Sequence, residues 1–409
     1  MRQTARIIST CSADTFGVCS ALFELGGMII MHDASGCNST YTTHDEPRWY
    51  DMDSMVYISG LSEMEAIMGD DSKLVDDIVD AARDLKPDFI AVAGTPIPAM
   101  TGFDFDSIAY MIEAETGIPS FGFGTTGMNT YVHGASMALE AYARRFVDQK
   151  AEKTEHLSVN ILGLTPLDFS VNGTDHSVEE RLKEAGFEVI SKWAMGNSKE
   201  DLINAGKAHV NLVLSGTGLG VAKVLNEMFG TPYVIGVPYG DTYGKMLIDE
   251  LKAAAGQETK DVIVGQDTAE AEDTDEATVQ NANVAAKAQE EKRNETKQTV
   301  AIVGEGVTSL SLAKAIECET GAQTKVICVT ECGKNILRGG DCLASCEEDV
   351  ENALKDADIM IADPLYKPIC PKNVKFKALP TEAFSGRIYR KEILNLVENL
   401  SNFIKELMA

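Results

Sequence analysis

The chain has 409 residues, 44% of them hydrophobic and 24% charged, with a formal net charge of −27. That length exceeds one ordinary hydrophobic core and points to two or three domains. The negative field repels phosphate backbones and anionic lipid, and the apolar runs are short and interrupted, so neither nucleic acid nor a membrane is an expected partner. No apolar stretch of signal-peptide length opens the sequence, and a cytoplasmic location is expected.

In chain order, one rhythm repeats: a β-branched apolar run, a turn of Gly, Pro or Ser, then a longer amphipathic stretch. Strand-like runs open at Ala5–Ser9 and Met28–Met31. The pattern of Leu74, Val75, Ile78, Val79, Ala82 and Leu85 predicts a helix over Ser72–Leu85, followed by strands at Pro87–Ala93 and Ile118–Phe123 and a helix over Gly134–Asp148. A second unit runs from the strand His156–Leu162 through a helix near Val178–Ala185, strands at Glu188–Ser191 and Val210–Leu214, a helix beginning near Gly220 and the strand Pro232–Val237. A third starts at the strand beginning with Thr299, with a helix through Ile316, strands at Lys325–Val329 and Ala357–Ala362, and an amphipathic helix over Lys391–Leu407.

Strands alternating with helices predict parallel sheets covered on both faces. The expected fold is α/β, with three doubly wound Rossmann-like domains at 1–155, 156–256 and 298–409. Between the last two, residues 257–297 carry eleven acidic and five basic residues and no aromatic ring, the composition of an acidic linker whose second half suits a solvated helix.

The nine cysteines, with no secretion signal, are read as thiols available to a metal rather than as a disulfide framework. They fall into two groups. Near the N-terminus, Cys11, Cys19 and Cys37 lie beside glycines and small residues, read as places where loops leave strands and backbone N–H groups can approach sulfur. Two cysteines do not complete a cubane, which takes four ligands. Small buried thiols in tight turns are the alternative. Near the C-terminus, Cys328, Cys332, Cys342 and Cys346 lie close in sequence, and Cys370 is flanked by prolines. Soft thiolates at such spacing suit zinc or iron–sulfur chemistry, but the spacing matches no standard knuckle and Cys328 lies inside an apolar strand. A weaker second metal site at Cys332, Cys342 and Cys346 stands beside chance clustering of buried thiols. Gly304, Glu305 and Gly306 form a fragment of a dinucleotide fingerprint that is not completed, so NAD is not expected.

The order Cys11, Gly17, Cys19, then Met31, His32, Asp33, Ala34, Ser35, Gly36 and Cys37, then a hydroxyl- and aromatic-rich stretch to Trp49, resembles the start of nitrogenase component 1 subunits, closer to the beta type. Met68–Leu74 is similar to a stretch that opens a helix in those subunits. Gly94–Asp106 resembles their Cys-Pro-containing loop, and Phe229–Tyr233 a recurrent strand entry. The resemblance implies three Rossmann-like domains and an interface iron–sulfur cluster, 4Fe–4S or P-cluster-like. It also implies pairing with a homologous nitrogenase-like subunit as heterodimer or heterotetramer, with a homodimer as the alternative, and an iron-protein-like ATP-dependent reductase as electron donor. Carried over by position, Cys11 and Cys37 match cluster ligands, His32 and Gly36 lie near the site, and the third ligand position falls at Thr95. Two readings follow: a partner supplies more ligands, with Asp33 a candidate oxygen ligand here, or the cluster is absent and the subunit structural. The strand end Val213–Gly218 has no cysteine, so a molybdenum-type cofactor is not expected there. The function implied is that of a subunit of a nitrogenase-like two-component reductase. A metallocluster assembly scaffold and a metal-free binding subunit are its rivals.

Overall fold

Short β-branched runs, each too brief to stand alone, pair here into three parallel sheets of four, five and five strands. A computed structural model describes residues 6–7, 13–39, 41, 46–196, 198–256, 261–263, 298–333, 335–386, 390 and 392–408. The first sheet comprises β1 (Met28–Met31), β2 (Met55–Ile58), β3 (Ile90–Ala93) and β4 (Ser120–Phe123) in the order β2-β1-β3-β4. The second holds β5 (Ser158–Leu162), β6 (Glu188–Lys192), β7 (Val210–Val213), β8 (Tyr233–Ile235) and β9 (Asp261–Ile263), ordered β6-β5-β7-β8-β9. The third has β10 (Thr299–Gly304), β11 (Gln323–Cys328), β12 (Cys342–Leu343), β13 (Ile359–Ala362) and β14 (Lys375–Ala378), ordered β12-β11-β10-β13-β14. The expected α/β architecture with three parallel sheets is therefore present. Nearly every central strand residue is buried, as a sheet covered on both faces requires.

Each sheet reverses its strand order once: between β1 and β3, between β5 and β7, and between β10 and β13. At such a switch point the two following loops diverge and leave a crevice beyond the carboxyl ends of the strands. The loops after β1 and β3 begin with His32 and Gly94, and those after β5 and β7 with Gly163 and Leu214. The loop after β10 begins with Glu305. Residues with chemistry are concentrated at these three places.

The helix over Ser72–Leu85 forms as its periodicity predicts, burying Leu74, Val75, Ile78, Val79 and Ala82. Cys19 is a buried packing residue, as expected, but its position differs. It lies within the helix Asp14–Leu22, all of whose residues are buried, and not in a loop leaving a strand. A helix buried on every side has no polar face and therefore no amphipathic signature. The strand expected at Ala5–Ser9 lies almost wholly outside the described residues, as does most of 257–297. Of that segment the described part is β9, an edge strand of the second sheet rather than linker. The closing helix starts later than its pattern suggested, at Leu396, and kinks at Asn399.

One helix crossing braces the first domain, and a buried arginine ties that domain to the second. The helix Asp14–Leu22 crosses the helix Tyr131–Phe146 at backbone contact. A Cβ on Gly17 would stand 2.0 Å from the Tyr131 carbonyl oxygen, and one on Gly134 only 1.8 Å from that of Asp14. Arg48, 3% exposed at its side chain, pairs with Glu46 at 2.6 Å and Glu24 at 2.8 Å and donates to the Ala194 carbonyl at 2.8 Å. Such a buried cation is held only because carboxylates and carbonyls take its donors.

Gly134→Ala forces these helices apart and is expected to cost about 1–3 kcal/mol, the usual range for overpacking a filled core. Urea unfolding checks it, and an unchanged midpoint would contradict the close crossing.

Candidate functional site

At the first switch point the chain leaves β1 through His32 and Asp33 and makes a single turn of 3-10 helix at Cys37–Ser39. Ser35 takes a positive φ of 66° to bring the chain round, and the Gly36 carbonyl accepts from the Ser39 hydroxyl at 2.8 Å. The loop leaving β3 delivers Thr95 to the same place. Its hydroxyl lies 2.8 Å from the His32 carbonyl and 3.0 Å from Asp33 Oδ1. Asn38 donates to Asp33 Oδ2 at 2.8 Å. Asp33 thus links both loops to the turn that carries Cys37. Each of its oxygens accepts one hydrogen bond, which fixes the carboxylate and leaves a lone pair on each oxygen.

His32 lies behind this network. Its Nδ1 is 2.9 Å from the Ser59 hydroxyl, and its ring packs 4.4 Å from that of Phe103, centroid to centroid. Burial holds the imidazole down to about 4, against the opposing pull of Asp33, so it is neutral at physiological pH. Cys11 lies outside the described residues, and for Cys37 the backbone alone is described.

The C-terminal thiols do not gather as the spacing suggested. Among the described residues no three His, Cys, Asp or Glu side chains converge to hold a metal ion, and Cys332, Cys342 and Cys346 are all described. Cys342 lies on β12 at the sheet edge, whereas Cys346 is exposed at the start of the helix Glu347–Ala353. Cys370 faces the Pro371 and Val374 carbonyls. Cys332 and Cys328 both approach Gly306, where a Cβ would stand 2.5 Å and 3.4 Å from their sulfurs.

A second cluster, unread in the sequence, forms where the three sheets meet. Asp168 follows β5, Glu305 follows β10, and Tyr131 opens the helix that follows β4. Tyr131 donates its hydroxyl to one carboxylate oxygen of Asp168, and Thr165 donates to the other at 3.0 Å. Glu305 caps the helix Gly306–Thr320, accepting from the N–H groups of Val307 at 3.0 Å and Thr308 at 2.9 Å. It also accepts from Gly216 N–H of the second domain at 3.0 Å. These amides at a helix start are what a dinucleotide phosphate would use, and here a side chain occupies them. Tyr131, Asp168, Tyr239, Glu305, Thr308 and Thr381 line a cavity of about 20 Å³, room for roughly one water. The available signal was Glu305 itself, an acidic residue between two glycines at a strand end.

These features define a multidomain α/β protein whose reactive residues lie at sheet switch points. The chain belongs to the nitrogenase component 1 type oxidoreductase family, whose profile matches residues 13–361. It is 28% identical over 199 residues to the nitrogenase iron-molybdenum cofactor biosynthesis protein NifE of Clostridium pasteurianum, covering 47% of this chain and 42% of that protein. It is 26% identical over 206 residues to a component of the light-independent protochlorophyllide reductase of Chlorokybus atmophyticus, covering 48% of this chain and 40% of that one. The matched region thus spans less than half the length of these relatives. A structure described as nitrogenase Cp1 at pH 6.5 superposes with a TM-score of 0.68 at 17% identity, covering 100% of this chain and 94% of its own, which is a likeness of fold.

The junction gives a pH signature. Burial raises both carboxyls, and the charge of Glu305 adds to the rise at Asp168, which is pushed up to about 7. An unfolded aspartate titrates near about 3.9. Between there and 7 the folded chain holds a proton that the unfolded chain has lost, so stability falls as pH rises through that window. Asp168→Asn keeps an acceptor for Tyr131 and removes the titration. From pH 5 to pH 8 the wild-type urea midpoint is expected to fall relative to that of the variant. Parallel profiles would contradict the raised carboxyl.

Proposed function

We propose that this chain is a subunit of a nitrogenase-like two-component reductase. It would share an iron–sulfur cluster with a partner chain and receive low-potential electrons from an iron-protein-like, ATP-dependent reductase. Family membership supplies the class. The observation that carries the reading is the Cys37 turn at the first switch point, braced by Asp33, Asn38 and Thr95, beside an apolar surface.

That surface is made of side chains a solitary subunit would bury. Met100 is 80% exposed and Met128 85%, and both belong to segments that leave the carboxyl end of the first sheet. The short helix Glu63–Met68 adds Met64 at 68% and Ile67 at 71%. Contiguous exposed apolar groups mark an interaction site, and methionine suits a surface that must adapt to a partner.

Cys11 and Cys37 would hold the cluster on this side. Two thiolates fall short of the four that a cubane takes, and Thr95 is engaged by His32 and Asp33, so the remaining ligands fall to the partner. When bound, such a cluster accepts and passes on electrons at low potential. The chain's own residues keep the turn in place, exclude water behind it with Phe103, and present a neutral imidazole at His32. A homologous subunit is the favoured partner and a second copy of this chain the alternative. The junction cavity holds roughly one water. A large reactant would therefore bind outside that cavity or require the domains to part.

A second reading, a scaffold on which a metallocluster is assembled and handed on, is favoured by the similarity to a cofactor biosynthesis protein. Catalytic reduction without net loss of iron supports the reductase. Stoichiometric transfer of iron and sulfide to an acceptor protein supports the scaffold.

The cluster assignment is tested on protein purified without oxygen together with whatever chain copurifies. Cys37→Ala is expected to lose most of the interface iron, and with it the partner in solution mass measurements, while its far-ultraviolet circular dichroism is unchanged. Iron and mass equal to wild type would overturn the assignment.

A further inference from the structure

We propose that Cys328 and Cys332 form a reversible dithiol–disulfide couple at the seam between the third and first domains. Cys328 ends β11 and is fully buried, while Cys332 lies four residues on, past a turn, and is partly exposed. Both sulfurs converge on the start of the helix Gly306–Thr320. A Cβ placed on Gly306 would stand 2.5 Å from Cys332 Sγ and 3.4 Å from Cys328 Sγ, so the glycine leaves the space in which the two thiols meet. Cys328 donates to the Thr330 carbonyl at 3.4 Å and Cys332 to that of Gly333 at 3.7 Å, and the closeness of the two thiols holds Cys328 below its ordinary range and Cys332 above it.

The turn between the cysteines carries a domain contact. Glu331 accepts from the Thr130 N–H at 2.8 Å and from the Thr130 hydroxyl, at the start of the helix Tyr131–Phe146. Closing a bond between residues 328 and 332 acts on the loop that holds this contact.

The oxidant class is a small-molecule disulfide such as glutathione disulfide. Cys332, reachable from solvent, attacks one of its sulfurs as its proton passes to the Cys328 sulfur, forming a mixed disulfide and expelling one glutathione thiolate, which takes up a proton from water. Cys328 then attacks the Cys332 sulfur, forming the internal bond and expelling the second glutathione, which takes up the Cys328 proton. Two protein thiols are oxidised and one disulfide is reduced to two thiols.

Both cysteines fall in the single tryptic peptide 326–334, bounded by Lys325 and Lys334. Full-length protein is equilibrated in graded glutathione buffers without oxygen, quenched with acid, alkylated, digested and weighed. The expected result is conversion of this peptide from a doubly alkylated form to an unalkylated one lighter by two hydrogens than its dithiol, reversed by dithiothreitol. Cys332→Ser, at a partly exposed position, should abolish the unalkylated form. Full alkylation across the whole buffer series, or a glutathione adduct on Cys332 that Cys328 never displaces, would overturn the proposal. Iron measured on the same samples separates this result from the fate of the cluster cysteines, which lie on other peptides.

Discussion

The carboxylate of Glu305 is the constraint on which the arrangement of domains depends. It lies 4% exposed between the second and third sheets, where an isolated charge would be expensive to bury. Its cost is offset by N–H groups from two domains at once: Val307 and Thr308 of its own helix, and Gly216 of the loop after β7. Pulling the domains apart would leave that carboxylate short of a donor and the Gly216 amide without its acceptor. Asp168 repeats the device between the second domain and Tyr131 of the first. The junction is therefore polar and directional, and it fixes the angle between domains more closely than apolar contact alone would do.

The first switch point is built on the same plan with a different use. Asp33 also accepts from residues of separate loops, Thr95 and Asn38. There the network opens towards exposed methionines instead of closing on other domains. One fold feature, the crevice where strand order reverses, thus lies once at the surface and twice within the packing of domains. The difference lies in what faces the crevice.

Much of this was legible in the sequence, for reasons that are physical. Central parallel strands are continuous apolar runs, so Met28–Met31 and Ser158–Leu162 stand out, and Ser72–Leu85 shows one clean buried face. The place of Cys37, Gly36 and Thr95 after strand ends was legible for the same reason. Asp14–Leu22 was not, because a helix without a polar side has no period to read. The edge strand Lys375–Ala378 is too short, with two apolar residues alternating with lysines, to stand out as the continuous central runs do. The Asp168–Glu305 junction was invisible because its members come from three sheets whose meeting is decided by packing, and because Gly304, Glu305 and Gly306 invited a comparison with phosphate-binding turns. The C-terminal thiols left two readings open, a second metal site and chance clustering. Closeness in sequence suggested a cluster of Cys332, Cys342 and Cys346, whereas β12 carries Cys342 to the sheet edge and the turn after β11 returns Cys332 to Cys328.

The edge strand β9 has a topological consequence. It ends the second sheet at Ile263, and the third sheet does not begin until Thr299. Among the described residues no strand pairing joins the second sheet to the third, so hydrogen bonds between strands do not set where the third domain sits. Its register against the rest is chosen by side chains such as Glu305, and by the closing helix, whose Glu398 takes a hydrogen bond from Ser177 of the second domain. The third domain is therefore seated on the rest as one protein is seated on another, and the fit of the seam between them decides where it rests.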